Sequence, residues 1–271
     1  MLDKSLGLYI DRSTQQGAAD MPTMHAHKSH EIYYLISGQR RYLIGHTIYD
    51  VTPGDLVLIP RSRLHRTVSP RPTGYDRYVC NFLEERIQPF IQNMGRDVFD
   101  RLIECGCLQL PSHVAHSVHR DLERMEQELT ERREGCQAVA LHLLEGILIS
   151  ALRYGTPKDP IHGEGADKVQ ALARYIALNY AQPITLHDAA TMACLEDTYF
   201  SRCFKALTGF GFQEYLTQTR LQAAERLLRD TALSVGEIAE QCGFSGANYF
   251  GDVFRRWKGC SPTHYRREHR T

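Results

Sequence analysis

The chain lacks net charge. Its 271 residues carry 32 Lys and Arg against 32 Asp and Glu, so no bulk attraction draws it to nucleic acid, and any such partner must be met by local placement of charge. It also lacks long apolar runs. The opening MLDKSLGLYIDRSTQQ holds no hydrophobic stretch of signal-peptide length, and no later run approaches the eighteen or more apolar residues of a spanning helix. The expectation is a cytoplasmic protein with no membrane partner. Nor are the eight cysteines paired in sequence. They are scattered, several within apolar helical patterns, which suits buried thiols. The one close pair, Cys105 and Cys107, has no second pair to complete a structural zinc site.

What is present, at 42% apolar and 24% charged residues, is a globular composition with room for two domains. From about residue 6 to 82, short β-prone runs (32–37, 41–44, 48–51, 56–59) alternate with turn signals at Gly38-Gln39, Gly45-His46 and Pro53-Gly54-Asp55. Strands this short, joined by tight turns, predict a small antiparallel barrel or sandwich. Helical periodicity follows. Val114, Val118, Leu122, Met125 and Leu129 form a stripe over 113–132, and Val139, Leu143, Ile147 and Leu152 form another over 137–154. The turn Arg133-Glu134-Gly135 is short enough to fold the two into an antiparallel hairpin, which either caps the barrel or offers a dimer interface. The stretch GTPKDPIHGEGA, with two prolines and three glycines, reads as a linker. The expected division is a strand-rich domain over 1–110, the hairpin over 111–155, a linker over 156–166 and an all-α domain over 167–271.

The last hundred or so residues carry one helix-turn-helix pattern twice. Phe204, Leu207, Gly209, Phe212 and Tyr215 fall opposite Phe254, Trp257, Gly259, Pro262 and Tyr265. Thr185 with Asp188, and Ser234 with Glu237, mark helix starts as capping boxes, and Ser261-Pro262 opens the last helix. The helical pattern over 213–229 is about 25 Å long at 1.5 Å per residue. Such a spacer can hold two reading helices roughly one DNA turn apart.

In the first copy, Tyr199, Phe200, Phe204 and Leu207 are expected to face the core while Thr198, Ser201, Arg202 and Lys205 face outward. Arg202 can bond guanine O6 and N7 together. On an isolated helix Arg202 and Lys205 would read as a solvated face; duplication of the pattern favours DNA contact. In the second copy, Tyr249, Phe250, Val253, Phe254 and Trp257 form the apolar side. Ala247, Asn248, Gly251 and Asp252 face outward, followed by Arg255 and Arg256. Asn248 suits adenine, and Asp252 either accepts from cytosine N4 or repels phosphate, so this copy reads as the weaker or more selective one. From residue 166 onward there are 13 Lys and Arg against 11 Asp and Glu, which predicts a shallow salt dependence.

Three stretches resemble the DNA-binding domain of the AraC/XylS family of bacterial transcription regulators. They are ITLHDAATMACLEDTYFSRCFKALTG, YLTQTRLQAAERLL and IAEQCGFSGANYFGDVFRRWKGCSPTHY. They include the Gly243-Phe244 turn, Tyr249-Phe250, Phe254 and the Gly259 to Pro262 element, and together span about a third of the chain. By that resemblance Thr198, Ser201 and Arg202, and then Ala247, Asn248 and Asp252, hold base-facing positions. The chain departs from the family in having Gly251-Asp252 where Ser-Arg is common and Glu196-Asp197 where a Ser or Thr cap is common.

In the strand-rich part, His25, His27 and Glu31 precede Gly38 in an H-x-H-x3-E-x6-G spacing, and Gly54, Pro60 and His65 supply G-x5-P with a downstream histidine. Alternation sends His25 and His27 to one face, and a neighbouring hairpin can bring Glu31 and His65 to the same point. The pattern resembles the cupin family, with Ser62 in place of the usual glycine and Ser69 where asparagine is common. Three imidazoles and a carboxylate suit a divalent Zn, Ni, Fe or Mn ion; equally, the same residues can line an effector pocket without metal. His30 and His46 fit no ligand pattern and read as turn or surface residues.

The fold expected is α+β: an N-terminal cupin-like β-barrel with a helical hairpin, followed by an all-α double helix-turn-helix domain. The resemblance implies a transcription regulator that is not an enzyme, and more often an activator. Its expected partners are promoter DNA, a small-molecule effector, RNA polymerase and a second copy of itself. The alternative is a metal-dependent cupin enzyme fused to a DNA-binding domain, for which no acid–base group beyond Glu31 stands out.

Overall fold

The computed structural model describes residues 7–17, 28–71 and 73–269. They fall into two units, Met1–Ile161 and His162–Thr271.

Among its described residues the first unit has nine strands: β1 Leu8–Gln15, β2 His30–Ser37, β3 Arg40–Ile44, β4 Thr47–Val51, β5 Asp55–Ile59, β6 His65–Val68, β7 Tyr75–Phe82, β8 Cys107–Gln109 and β9 Thr156–Pro157. They form two sheets, β1-β7-β2-β5-β8-β9 and β4-β3-β6, and every pairing is antiparallel. The barrel expected from the short strands is therefore not closed. The β3–β4 hairpin and β6 pair as strands only with one another, leaving two open layers that meet face to face.

Because successive side chains on a strand point to opposite faces, each strand of the larger sheet feeds two cores. Ile32, Tyr34, Leu58, Cys80 and Phe82 face one way and pack on α3 (Ser112–Glu131) and α4 (Cys136–Tyr154), reached through the shorter helices α1 (Gln88–Met94) and α2 (Arg96–Ile103). Tyr33, Leu35, Val57 and Ile59 face the other way and pack on Tyr42, Ile44 and Val51 of the smaller sheet. This is why β5, DLVLI, is buried at all five positions and reads as a continuous apolar run rather than an alternation.

The α3 stripe lies as expected, with Val114, Val118, Leu122, Met125 and Leu129 all buried. That of α4 is rotated. Ala140, Leu144, Ile147, Leu148 and Ala151 are its buried residues, whereas Leu152 is 40% exposed and Val139 and Leu143 are only half-buried. Apolar residues surround this helix on nearly every side, so periodicity alone could not choose its inner face. Contrary to the reading of apolar runs, α4 is long and apolar enough, by length and composition, to cross a membrane.

The stretch 156–166 does not behave as one linker. β9 pairs with β8, the Lys158 ammonium reaches Asp55 Oδ2 at 2.5 Å, and Ile161 N–H donates to Ile48 O at 2.8 Å. Residues 156–161 are thus stitched to the first unit, and Glu164 already opens the first helix of the second.

That second unit is all helical: α5 Glu164–Asn179, α6 Leu186–Met192, α7 Asp197–Thr208, α8 Phe212–Asp230, α9 Val235–Gln241, α10 Ala247–Lys258 and α11 Pro262–His269. Thr185 and Ser234 form the expected capping boxes with Asp188 and Glu237. Behind each helix-turn-helix lies the same aromatic packing. Phe204 meets Tyr215 at 5.5 Å and 76°, and Phe254 meets Tyr265 at 5.5 Å and 77°; Phe200–Phe204 and Phe250–Phe254 are both 5.5 Å pairs. Edge-on aromatic pairs of this kind add about 0.5–1.5 kcal/mol beyond burial. The fifty-residue repeat seen in the sequence is therefore a repeat of core geometry.

His30 departs from its expected surface role and is buried at the start of β2. Its Nδ1 accepts from Arg61 N–H at 3.2 Å, so in the neutral ring Nε2 carries the proton and donates to Glu84 Oε2 at 3.3 Å. Phe82 stacks on the ring at 5.3 Å and Phe99 meets it edge-on at 5.5 Å. Burial holds the imidazole below its ordinary value; Glu84 opposes that shift, and Arg61 and Arg96, both paired with Glu84, reinforce it. A histidine whose folded-state value is depressed binds fewer protons than the unfolded chain as acid is added. Its contribution is complete above about pH 6.5 and is lost as pH falls below that. Thermal melts at about pH 7.5 and about pH 5 should give a larger acid-induced drop for the unaltered protein than for His30→Gln; equal drops would contradict this linkage.

Candidate functional site

The smaller sheet has three strands; it packs on β2 and β5 and reaches Tyr75 and Val79 of β7. Toward β1 the same face is open. The pairing sets what lies there: Tyr9 is opposite Asn81, which is opposite Glu31, and two residues along Asp11 is opposite Val79, which is opposite Tyr33; Arg77 lies between Ser13 and Leu35. Tyr9, Asp11, Glu31, Arg77, Val79 and Asn81 line a cavity of about 500 Å3, with Lys28 and Ser29 beside them. That volume is in the range of small-molecule sites.

The lining is polar and of both signs. Ser29 Oγ donates to Asn81 Oδ1 at 3.2 Å, leaving the Asn81 amide N–H groups as donors. Burial, helped by the Asp11 carboxylate, raises Tyr9 above its ordinary value and keeps its hydroxyl protonated. The Arg77 guanidinium is 3.9 Å from Asp11 Oδ2, an ion-pair distance without a hydrogen bond.

Of the four sequence-predicted site residues here, His25 and His27 lie outside the described residues. Glu31 and His65 are brought together: both are buried, with His65 Nε2 4.0 Å from Glu31 Oε2. His65 Nδ1–H donates to Arg63 O at 2.9 Å, which turns Nε2 toward Glu31, and the Tyr42 hydroxyl lies 3.4 Å from Glu31 Oε1. Burial, with Glu31 close by, holds Tyr42 well above the usual phenol range, so it is a donor there. Two donors suit a metal but do not enclose one. Among the described residues, no group of three or more His, Cys, Asp or Glu side chains comes together. Sequence reading missed Tyr9, Asp11, Arg77 and Asn81. Alternation in YDRYVCNF separates the two faces of β7, but nothing in it says that the polar face is the inner one.

Ser62 adopts a left-handed backbone, φ 59°, in the turn where Arg63 N–H donates to Pro60 O at 3.1 Å. The glycine expected there by resemblance is the residue for which that conformation carries no Cβ strain.

In the second unit, α7 and α10 are the outer helices of the two helix-turn-helix motifs. Thr198, Arg202 and Lys205 are exposed on α7 and Ser201 is half-buried; Ala247, Asn248, Asp252, Arg255 and Arg256 are all exposed on α10. Phe200 and Phe204, and Phe250, Val253 and Phe254, hold the inner faces as expected. Tyr199 and Tyr249 do not. They are 50% and 55% exposed, because each precedes a fully buried phenylalanine and one residue along a helix turns the side chain away from the core. Glu196, not Asp197, caps α7, accepting from Tyr199 N–H at 3.2 Å, while Asp197 pairs with His187 at 3.1 Å.

The two inter-helix turns match in hydrogen bonding: Leu195 N–H donates to Ala190 O at 3.0 Å, and Phe244 N–H to Ala239 O at 2.9 Å. Both need a left-handed residue before the donor, and the chain supplies Cys194 at φ 50° in one and Gly243 at φ 76° in the other. At Gly243 the constraint is double, since a Cβ there would lie 2.5 Å from Ala181 O.

A layered, cavity-bearing sheet unit and a double helix-turn-helix unit define a ligand-binding, DNA-binding protein. The model of the AraC-like ligand binding domain matches residues 8–144, and a helix-turn-helix domain model matches 189–268. The chain belongs to the AraC family of transcription regulators. The transcriptional activator RhaR of Mannheimia succiniciproducens is 24% identical over 243 residues, covering 90% of this chain and 86% of RhaR. The HTH-type transcriptional regulator YijO of Escherichia coli is 38% identical over 100 residues; the match covers 37% of this chain and 35% of YijO's length. Among solved structures, the DNA-binding domain of AdpA in complex with a target DNA is 30% identical over 36% of this chain and 88% of that one, with a TM-score of 0.36.

The turn geometry makes opposite forecasts for two equivalent positions. Gly243→Ala should destabilise the protein by more than about 2 kcal/mol, combining left-handed strain with a backbone collision. Cys194→Gly should be neutral or raise stability by up to about 1 kcal/mol. Denaturant titration reads both, and a harmless Gly243→Ala would overturn the constraint.

Proposed function

We propose that the chain binds promoter DNA in the cytoplasm through both helix-turn-helix motifs and responds to a small effector taken up by the sheet cavity, acting as an activator with RNA polymerase. The observation that carries this is the pair of outer helices. Two cores with the same aromatic geometry each present an outward face: exposed Thr198, Arg202 and Lys205 with half-buried Ser201 on α7, and exposed Ala247, Asn248, Asp252, Arg255 and Arg256 on α10. Arg202 is assigned to guanine and Asn248 to adenine. Lys205, Arg255 and Arg256 are assigned to phosphates.

The cavity supports the effector role, with Glu31 in its lining and His65 beside Glu31 assigned as effector-contacting groups, and a divalent metal as the alternative occupant at that pair. We assign His25 and His27 to the same role from their sequence spacing. Self-association is assigned to the outer face of α4. Leu152 and Tyr154 are exposed at its C-terminal end, and a Cβ added at Gly146 would meet nothing within 4 Å, so a second helix can approach at Gly146. An effector that changes DNA binding must bind the two states of the regulator with different affinities.

Arg202→Ala should lower specific DNA affinity by about 1–3 kcal/mol and relax the preference at one base pair. Binding by the full chain to genomic fragments it selects measures this; unchanged affinity and unchanged preference would remove Arg202 from the reading set. Because Gly251 and Asp252 stand on α10 where the family commonly has Ser-Arg, mismatches in the operator half facing α7 should cost more than those facing α10. Equal penalties in both halves would contradict the asymmetry.

A further inference from the structure

The cavity carries a more specific reading of its ligand, which rests on the assignment of the first unit as effector-binding. We propose that the β1–β7 cavity takes a free α-amino acid, with its carboxylate on Arg77 and its ammonium on Asp11.

The first observation is an unused donor. Arg77 Nη1 is buried and has no hydrogen-bond partner among the described residues. Its nearest carboxylate oxygen, Asp11 Oδ2, is 3.9 Å away, too far to accept. Buried guanidinium N–H groups are seldom left without an acceptor, since their desolvation then goes uncompensated. A second unused donor lies beside it. The Tyr33 hydroxyl is buried without a partner among the described residues, and the Arg77 guanidinium lies 5.9 Å from the Tyr33 ring centre. Burial raises the Tyr33 phenol, so it remains a donor. Of the two, Arg77 lines the cavity; its buried donor calls for an acceptor-rich group, and a carboxylate is matched to a guanidinium in both charge and geometry.

The second observation is the balance of charge. Arg77 and Lys28 line the cavity with Asp11 and Glu31. A simple organic acid on Arg77 would lie against the Asp11 carboxylate, and a simple amine on Asp11 would lie against the guanidinium. A neutral sugar would supply acceptors but leave both charges where they are. An α-amino acid carries its two opposite charges one carbon apart, which suits a guanidinium and a carboxylate 3.9 Å apart. Val79, opposite Asp11 in the register, and Leu83 offer apolar surface for the side chain, and Asn81 and Ser29 lie further along the same cavity for a polar end.

The test is calorimetric titration of the full-length protein with the common L-amino acids and with D-glucose and D-galactose. The best amino acid is then compared with its deaminated hydroxy acid and its decarboxylated amine. Saturable binding of an amino acid, with both truncated analogues weaker by about tenfold or more, supports the proposal. Arg77→Met should weaken the amino acid to a similar degree, and Asp11→Asn should abolish the preference for the amino acid over the hydroxy acid. The proposal is overturned if no amino acid binds, if a hexose binds more tightly, or if the amine and hydroxy acid bind as well as the amino acid. The ligand series on the unaltered protein decides the matter without the variants, should either fail to fold. DNA binding by the same preparation is measured without ligand. Its failure would sink the regulator reading and leave the ligand result standing, while its success with no amino acid binding would sink only this proposal.

Discussion

The first unit depends on one constraint: β7 is hydrogen-bonded on both edges, to β1 and to β2, and so cannot slip. Eight residue pairs fix it to β1 and seven to β2. A one-residue shift would exchange its faces, sending Arg77 and Asn81 into the helix-covered core and Tyr78, Cys80 and Phe82 into the cavity. The same register that seats Cys80 against Met125 therefore holds a guanidinium over the open half of the sheet. Packing and binding chemistry are two faces of one strand. The smaller sheet completes the arrangement by being short of strands: it covers β2, β5 and part of β7 and leaves a cavity lined by β1 and β7 residues.

The second unit follows the same economy with different means. Each helix-turn-helix is held from behind by phenylalanines on its outer helix packed against a tyrosine fifty residues from its counterpart, and in front the side chains are free to differ. α7 carries Arg202 and Lys205; α10 carries Asn248 and Asp252, with Arg255 and Arg256 a turn further on. The cores constrain where the helices lie, and the outer residues differ between the two.

Much of this was legible in the residues. The capping boxes, the aromatic repeat, the α3 stripe and the strand segments were set by local chemistry and appear where that chemistry puts them. What failed had a common cause. Sequence pattern gives the period of an element but not its phase relative to a core on more than one side. α4 is apolar nearly all round, and its stripe in the sequence lies about one residue from the face it buries. Tyr199 and Tyr249, aromatic and next to core phenylalanines, were assigned inward and turn out. Arg77 and Asn81 looked like the wet face of a strand because the second covering layer is not written in β7 itself. His30 looked superficial for the opposite reason: its partners, Glu84 and the Arg61 backbone, are distant in sequence. Cys194 and Ser62 sit in left-handed turns where glycine is the unstrained choice, so turn positions could be placed but not their backbone strain.

The central claim is that two reading helices on one chain engage one stretch of DNA. Hydroxyl-radical footprinting of the full-length protein on a fragment it selects tests this most directly. The account predicts two protected segments on the same face of the duplex for each bound chain, separated by about one helical turn. A single protected segment per chain, unchanged when the exposed residues of α10 are replaced, would contradict it.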